Sequence, residues 1–209
     1  MVINVSPRYS LDTDSRKVTE SGPGGYITHD SGDPDLPLKI FQDRMNGWFF
    51  DPAKRLLLEG GSVAAVHIVT PLIEALEERY EGKSSNNQST EYFIKRAKII
   101  FPIDDEAITL LHKGLRCGFA HHGFLKDDYN HYNILITSNL AAPIEFSDKV
   151  LNIDADKYVD FIKEAYEIYY KHIQQDAELQ SKFMAFWIPD WQMSLRVPGG
   201  CGTVNKESV

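Results

Sequence analysis

Asp104-Asp105-Glu106-Ala107-Ile108-Thr109-Leu110-Leu111-His112-Lys113-Gly114-Leu115-Arg116-Cys117-Gly118-Phe119-Ala120-His121-His122-Gly123 is the stretch on which the reading of this chain turns. Asp104 or Asp105 can offer a side-chain acceptor to the exposed N–H groups of a helix start, and Gly123 offers a stop. Between them Ile108, Leu111, Leu115, Phe119 and His122 fall on one face at about 100° per residue. The spacing predicts an amphipathic helix that packs against others. On the same wheel His121 lies about 140° from Arg116 and off the apolar stripe, whereas His122 lies within it.

Working upstream, the same periodicity recurs. Leu38, Phe41, Met45, Trp48 and Phe49 mark a first helix; Asp51-Pro52 opens a short one that stops at Gly60-Gly61. Ser62 begins the next, running through Val63, Val66, Val69, Ile73 and Leu76 to about Tyr80 with a kink expected at Pro71. Ser89 opens another, which Phe101-Pro102 closes. Downstream the period changes. Tyr132–Thr137, Ile144–Phe146 and Val150–Ile153 read as short strands, before a last helix from about Asp154 to Leu179. The fold class is mainly α, with a small β-hairpin or sheet insertion near 132–153.

Residues 1–35, with Pro7, Pro23, Pro34 and Gly22-Pro23-Gly24-Gly25, are expected to form an irregular arm. Residues 181–209, with Trp187, Pro189, Trp191 and Pro198-Gly199-Gly200, are expected to form a wrapping tail.

The 209 residues, 43% hydrophobic and 25% charged, suit one domain with appendages. A formal charge of −8 argues against broad binding of a phosphate backbone, so any contact with RNA must be local. Cys117 and Cys201 are too far apart in sequence to suggest a disulfide framework, and free thiols are expected. No apolar run approaches the roughly 20 residues of a membrane span, and the N-terminus lacks a secretory pattern, so a cytoplasmic protein without membrane contact is expected. His112, His121, His122, Asp127, Asp128 and His131 are dense, but no two histidines take the four-residue helical step of zinc motifs. No metal or cofactor is expected.

Arg116 and His121, with four residues between them near the end of a long helix, and with His122-Gly123-Phe124 following, resemble the Arg-x4-His motif of the HEPN superfamily. The likeness covers roughly residues 36–180, as one of helical layout outside the motif. It implies an antiparallel helical bundle that dimerises through its motif-bearing helices, placing Arg and His of both copies around one cleft. Many active members are metal-independent endoribonucleases of defence or toxin–antitoxin systems, which implies RNA and an antitoxin or other regulatory protein as partners. Others are non-catalytic binding or dimerisation modules.

The residue types fit the chemistry. An imidazole titrating near neutrality can take the 2′-hydroxyl proton or protonate the leaving 5′-oxygen, and a permanently charged guanidinium can hold the phosphate. Arg116 and His121 are therefore the expected catalytic pair. His122, His112 and Cys117 are the alternative or supporting residues, Cys117 standing where many members carry a polar residue, often Asn. Lys113 would add local positive charge, and Tyr129 and Tyr132 could stack on bases.

Overall fold

The N-terminal segment folds into strands because Tyr9 and Leu11 alternate with Ser10 and Asp12, and Val18 faces them across a hairpin. This computed structural model describes residues 2–12, 14–30, 32–118 and 133–196, with the side chains of 188–196 outside the description. Strands β1 (Val2–Asn4), β2 (Tyr9–Asp12), β3 (Lys17–Gly22) and β4 (Gly25–Asp30) form an antiparallel meander in the order β1-β2-β3-β4. Gly22-Pro23-Gly24-Gly25 is its last turn. Gly22 and Gly25 pair, and Gly25 takes φ +108°, a conformation that glycine adopts without steric cost.

The sheet is tied to the first helix by one buried carboxylate. Asp43 Oδ2 accepts from Ser6 Oγ (2.7 Å) and from the Arg8 backbone N–H (2.8 Å), and Oδ1 accepts from Arg8 Nε (2.7 Å). Arg44 Nε donates to the Val5 carbonyl, and Gly47 lies so close to Pro7 that a Cβ there would come within 2.3 Å of its ring. The expected irregular arm is thus replaced, through residue 30, by a docked sheet. Its Val5, Tyr9, Leu11 and Val18 belong to the same buried cluster as Ile40, Phe41 and Phe50.

Helix α1 (Leu36–Arg44) continues through a π-helical turn (Met45–Phe50) into α2 (Asp51–Leu58). Then come α3 (Ser62–Val69) and α4 (Pro71–Glu81), divided at the proline, α5 (Ser89–Ile100), and α6 (Asp105–Leu110). Asp104 caps α6 by accepting from the Ala107 N–H at 2.8 Å. A second π-helical stretch, Leu111–Cys117, extends α6. Strands β5 (Asn133–Thr137), β6 (Ile144–Ser147) and β7 (Val150–Asp154) form a mixed sheet in the order β5-β7-β6, with β5 parallel and β6 antiparallel to central β7. Asp154 ends β7 and caps α7 (Ala155–Gln175) by accepting from the Lys157 N–H at 3.1 Å.

Three tyrosines of α7 latch it to earlier helices. Tyr158 OH lies 3.2 Å from Thr70 Oγ1, Tyr166 OH donates to Leu72 O at 3.0 Å, and Tyr169 OH donates to Arg79 O at 3.3 Å. Burial pushes all three phenols well above their ordinary range. Residues 177–196 form α8 (Ala177–Arg196) where a tail was expected. Leu179, Phe183 and Trp187 recur at four-residue steps and are buried, an apolar stripe that outweighs the breaking tendency of Pro189. The architecture is therefore mostly α with two sheets, one of four antiparallel strands and one of three mixed strands, and not an antiparallel helical bundle with a single insertion. No helix among the described residues is long and apolar enough to cross a membrane.

Candidate functional site

Helix α4 carries carboxylates in the line of its apolar residues. Leu72, Ile73 and Leu76 are buried, and so are Glu74 and Glu77. A carboxylate so placed must find a cation or neutralise. Each finds an arginine: Glu77 takes Arg96 of α5 (Nε to Oε2, 2.8 Å), and Glu74 takes Arg116 of the π-helical stretch (Nη2 to Oε2, 3.0 Å). Glu74 also accepts from Ser85 Oγ at 2.8 Å. Burial pushes the Glu74 carboxyl up, but hydrogen bonds from Ser89, Ser85 and Arg116 outweigh it, leaving the group ionised below its ordinary range.

Arg116 is thus oriented by a residue 42 positions earlier in the chain, with about a quarter of its side chain exposed. Its Nε is buried and makes no hydrogen bond among the described residues. The Glu74–Arg116 pair has no net charge, so it exerts little long-range attraction on a polyanion. What it supplies is a guanidinium fixed in orientation by Glu74.

His112 is buried against the Phe93 ring, with ring centroids 5.1 Å apart. Burial, and then the positive field of Arg116, push its pKa below the ordinary value, against a smaller opposing pull from Glu74, so the imidazole is neutral at pH 7. Cys117 Sγ lies 3.9 Å from His112 Nδ1 and 3.8 Å from Nε2. A sulfur equidistant from both nitrogens is in line with neither lone pair, so the arrangement packs a thiol on a ring and does not build a nucleophile–base pair. Lys113 is exposed on the same stretch.

The winding here has a geometric consequence. Hydrogen bonding in a π-helix runs from i to i+5, so residues five apart come together where an α-helix would separate them. His112 and Cys117 are five apart, and they touch. Arg116 and His121 have the same spacing. Arg116 lies at the end of this stretch, and His121 lies beyond it, outside the described residues. Gly114 sits on the tight side of this stretch, where an added Cβ would lie 2.3 Å from Ile134 Cδ1 of β5.

The structure therefore brings Arg116, His112 and Cys117 into one neighbourhood beneath α4, with Lys113 exposed beside them. His121, His122, Tyr129 and Tyr132 lie outside the described residues. Glu74 is the member that sequence reasoning missed. Its signal was present, as an acidic residue interrupting the Leu72-Ile73-Leu76 stripe, but its partner is set by the tertiary fold. No protein-family model matches this chain, and comparison with curated proteins and with solved structures finds no match.

Proposed function

We propose that this chain is a metal-independent endoribonuclease of HEPN-like chemistry, of the kind used in defence or toxin–antitoxin systems, with Arg116 and His121 as its catalytic pair. One observation carries the reading: the Arg116 guanidinium is held by the buried Glu74 carboxylate with about a quarter of its side chain exposed, beside the exposed Lys113. His121 lies outside the described residues, and in a homodimer paired through the motif-bearing helices the two groups come together around one shared cleft. The reading rests on the motif and its local geometry, because the two sheets depart from the family's helical bundle.

In this mechanism the Arg116 guanidinium holds the scissile phosphate, and Glu74 fixes its orientation. His121 takes the proton from the ribose 2′-hydroxyl as that oxygen attacks phosphorus. The P–O5′ bond breaks, the departing 5′-oxygen takes a proton from water, which the protonated His121 then replaces, and the products are a 2′,3′-cyclic phosphate and a 5′-hydroxyl. Lys113 adds positive charge where the phosphate backbone enters. RNA is the substrate, an antitoxin or other regulatory protein is the partner class, and the cytoplasm is the compartment.

The test is incubation of the purified chain with mixed RNA in EDTA, followed by end-group analysis. Cyclic-phosphate termini that vanish in Arg116→Lys and His121→Ala support the reading. A second reading, a non-catalytic binding module, is favoured by the Glu74–Arg116 ion pair, which cancels the arginine's charge. Retarded migration of RNA on the protein without cleavage would select it.

A further inference from the structure

Among the described residues β4 is an edge of the N-terminal sheet, hydrogen-bonded to β3 on one side only. Tyr26 is 82% exposed and Ile27 60%, and Gly25 and Thr28 are exposed beside them. An edge of this kind is a template for another strand. Proteins that keep such an edge unpaired protect it with lysine, proline, a bulge or short length. None of these is present in β4. Its sequence is Gly-Tyr-Ile-Thr-His-Asp, and it pairs with β3 without a break from Lys17–Asp30 to Gly22–Gly25. The opposite edge, β1, has only three residues.

We propose that β4 pairs antiparallel with β4 of a second copy of this chain, about a two-fold axis through Ile27, joining the two four-stranded sheets into one. An axis perpendicular to the sheet keeps every side chain on its own face, so paired residue numbers must have an even sum. Centred on Ile27, this register sets Ile27 against Ile27 and Tyr26 against Thr28, the apolar and aromatic–β-branched pairs that stabilise sheets. Gly25 meets His29, and Asp30, the one acidic or basic side chain of the strand apart from His29, faces Gly24. Centring on Thr28 instead would put Tyr26 against Asp30 and Ile27 against His29, separating the apolar residues. Centring on Tyr26 would leave Ile27 and Thr28 opposite glycines. The strand is thus complementary to itself in one register, which favours a second copy over an unrelated extended segment.

Strand pairing alone covers less than the roughly 1,200–2,000 Å² of a stable interface, so the dimer is concentration-dependent. Each copy carries a net charge of −8, so salt, by screening repulsion between the bodies, strengthens the association.

The experiment is sedimentation equilibrium of the full chain from about 1 μM to about 1 mM, at low and high salt. The expected mass rises from 23.8 kDa toward twice that value, at lower concentration in high salt. Ile27→Lys places like charges opposite each other at the axis and should give a monomer throughout, with circular dichroism and melting unchanged because the side chain is exposed. Leu58→Lys, at a position 88% exposed outside the sheet, should still dimerise. Paired residues in an antiparallel ladder have Cα atoms about 4.5–5.5 Å apart, within disulfide reach, so Ile27→Cys should cross-link on oxidation under conditions that leave the native chain uncross-linked. A mass fixed at 23.8 kDa up to about 1 mM overturns the proposal and leaves the edge to an extended segment of another protein. A dimer that survives Ile27→Lys also overturns it and places the interface elsewhere.

Discussion

Removing the Asp43 carboxylate is expected to release the N-terminal sheet before it unfolds the helices. Asp43→Ala deletes the acceptor for Ser6 Oγ, the Arg8 N–H and Arg8 Nε at once. The ionic part is small, because the Arg8 side chain is 54% exposed and solvent screens it. The larger loss is in the other two bonds: donors to a charged acceptor contribute about 1.5–3 kcal/mol each, and two orphaned neighbours do not add fully. A destabilisation of about 3 kcal/mol follows. Asp43→Asn keeps one acceptor and should cost about half as much, roughly 1–2 kcal/mol.

The pH dependence separates this account from generic core damage. Burial pushes the Asp43 carboxyl up, but the bonds from Ser6 and Arg8 outweigh it, so the folded pKa lies below the ordinary value. A depressed folded pKa contributes stability above the unfolded pKa of about 3.9, lost as pH falls through the folded value. Asp43→Asn should therefore flatten the acid limb of stability against pH. The assays are urea unfolding at pH 3 to 7 and amide hydrogen exchange of β2 and β3. A loss below about 0.5 kcal/mol in Asp43→Ala, or unchanged protection of the Leu11 and Val18 amides, would refute the clamp.

Arg116→Ala is expected to cost about 1–3 kcal/mol because it strands the Glu74 carboxylate in a largely buried site; the double change Arg116→Ala with Glu74→Gln should recover part of that loss in a thermal melt. Gly114→Ala should destabilise by roughly 1–2 kcal/mol through collision with Ile134 Cδ1, and Ile134→Val, which removes that methyl, should restore stability in a double-mutant cycle.

Helical periodicity was legible wherever a stripe of large apolar residues repeats, as in Ile108, Leu111 and Leu115 or Tyr158, Ile162 and Tyr169. The C-terminal strands were legible for a related reason: Ile134, Ile136, Ile144, Val150, Leu151 and Ile153 concentrate β-branched and apolar residues in runs bounded by Ser, Asn, Pro and Asp. The N-terminal sheet was not, since its strands bury only Tyr9, Leu11 and Val18 among polar neighbours, and its tight Gly-Pro-Gly-Gly turn has the composition of a loose linker. In α8 Pro189, a helix breaker, interrupts the sequence just after the Leu179, Phe183, Trp187 spacing and hides it. The π-helical winding was invisible for a more basic reason. Leu111 and Leu115 are buried under either winding, so the apolar pattern does not distinguish i→i+4 from i→i+5 hydrogen bonding. Glu74 could be seen as an anomaly in α4, but only tertiary contact reveals that it holds Arg116.

The tyrosine latch of α7 also bears on how the chain is made. Its hydroxyls meet Thr70, Leu72 and Arg79 across sequence gaps of 88, 94 and 90 residues. At a synthesis rate of about 5–20 residues per second, the ribosome needs roughly 5–20 s to deliver each tyrosine after its partner. During that interval the surfaces of α3 and α4 that later receive α7 stay uncovered on the nascent chain, so the period of greatest exposure to aggregation or chaperone capture falls before residue 158 emerges.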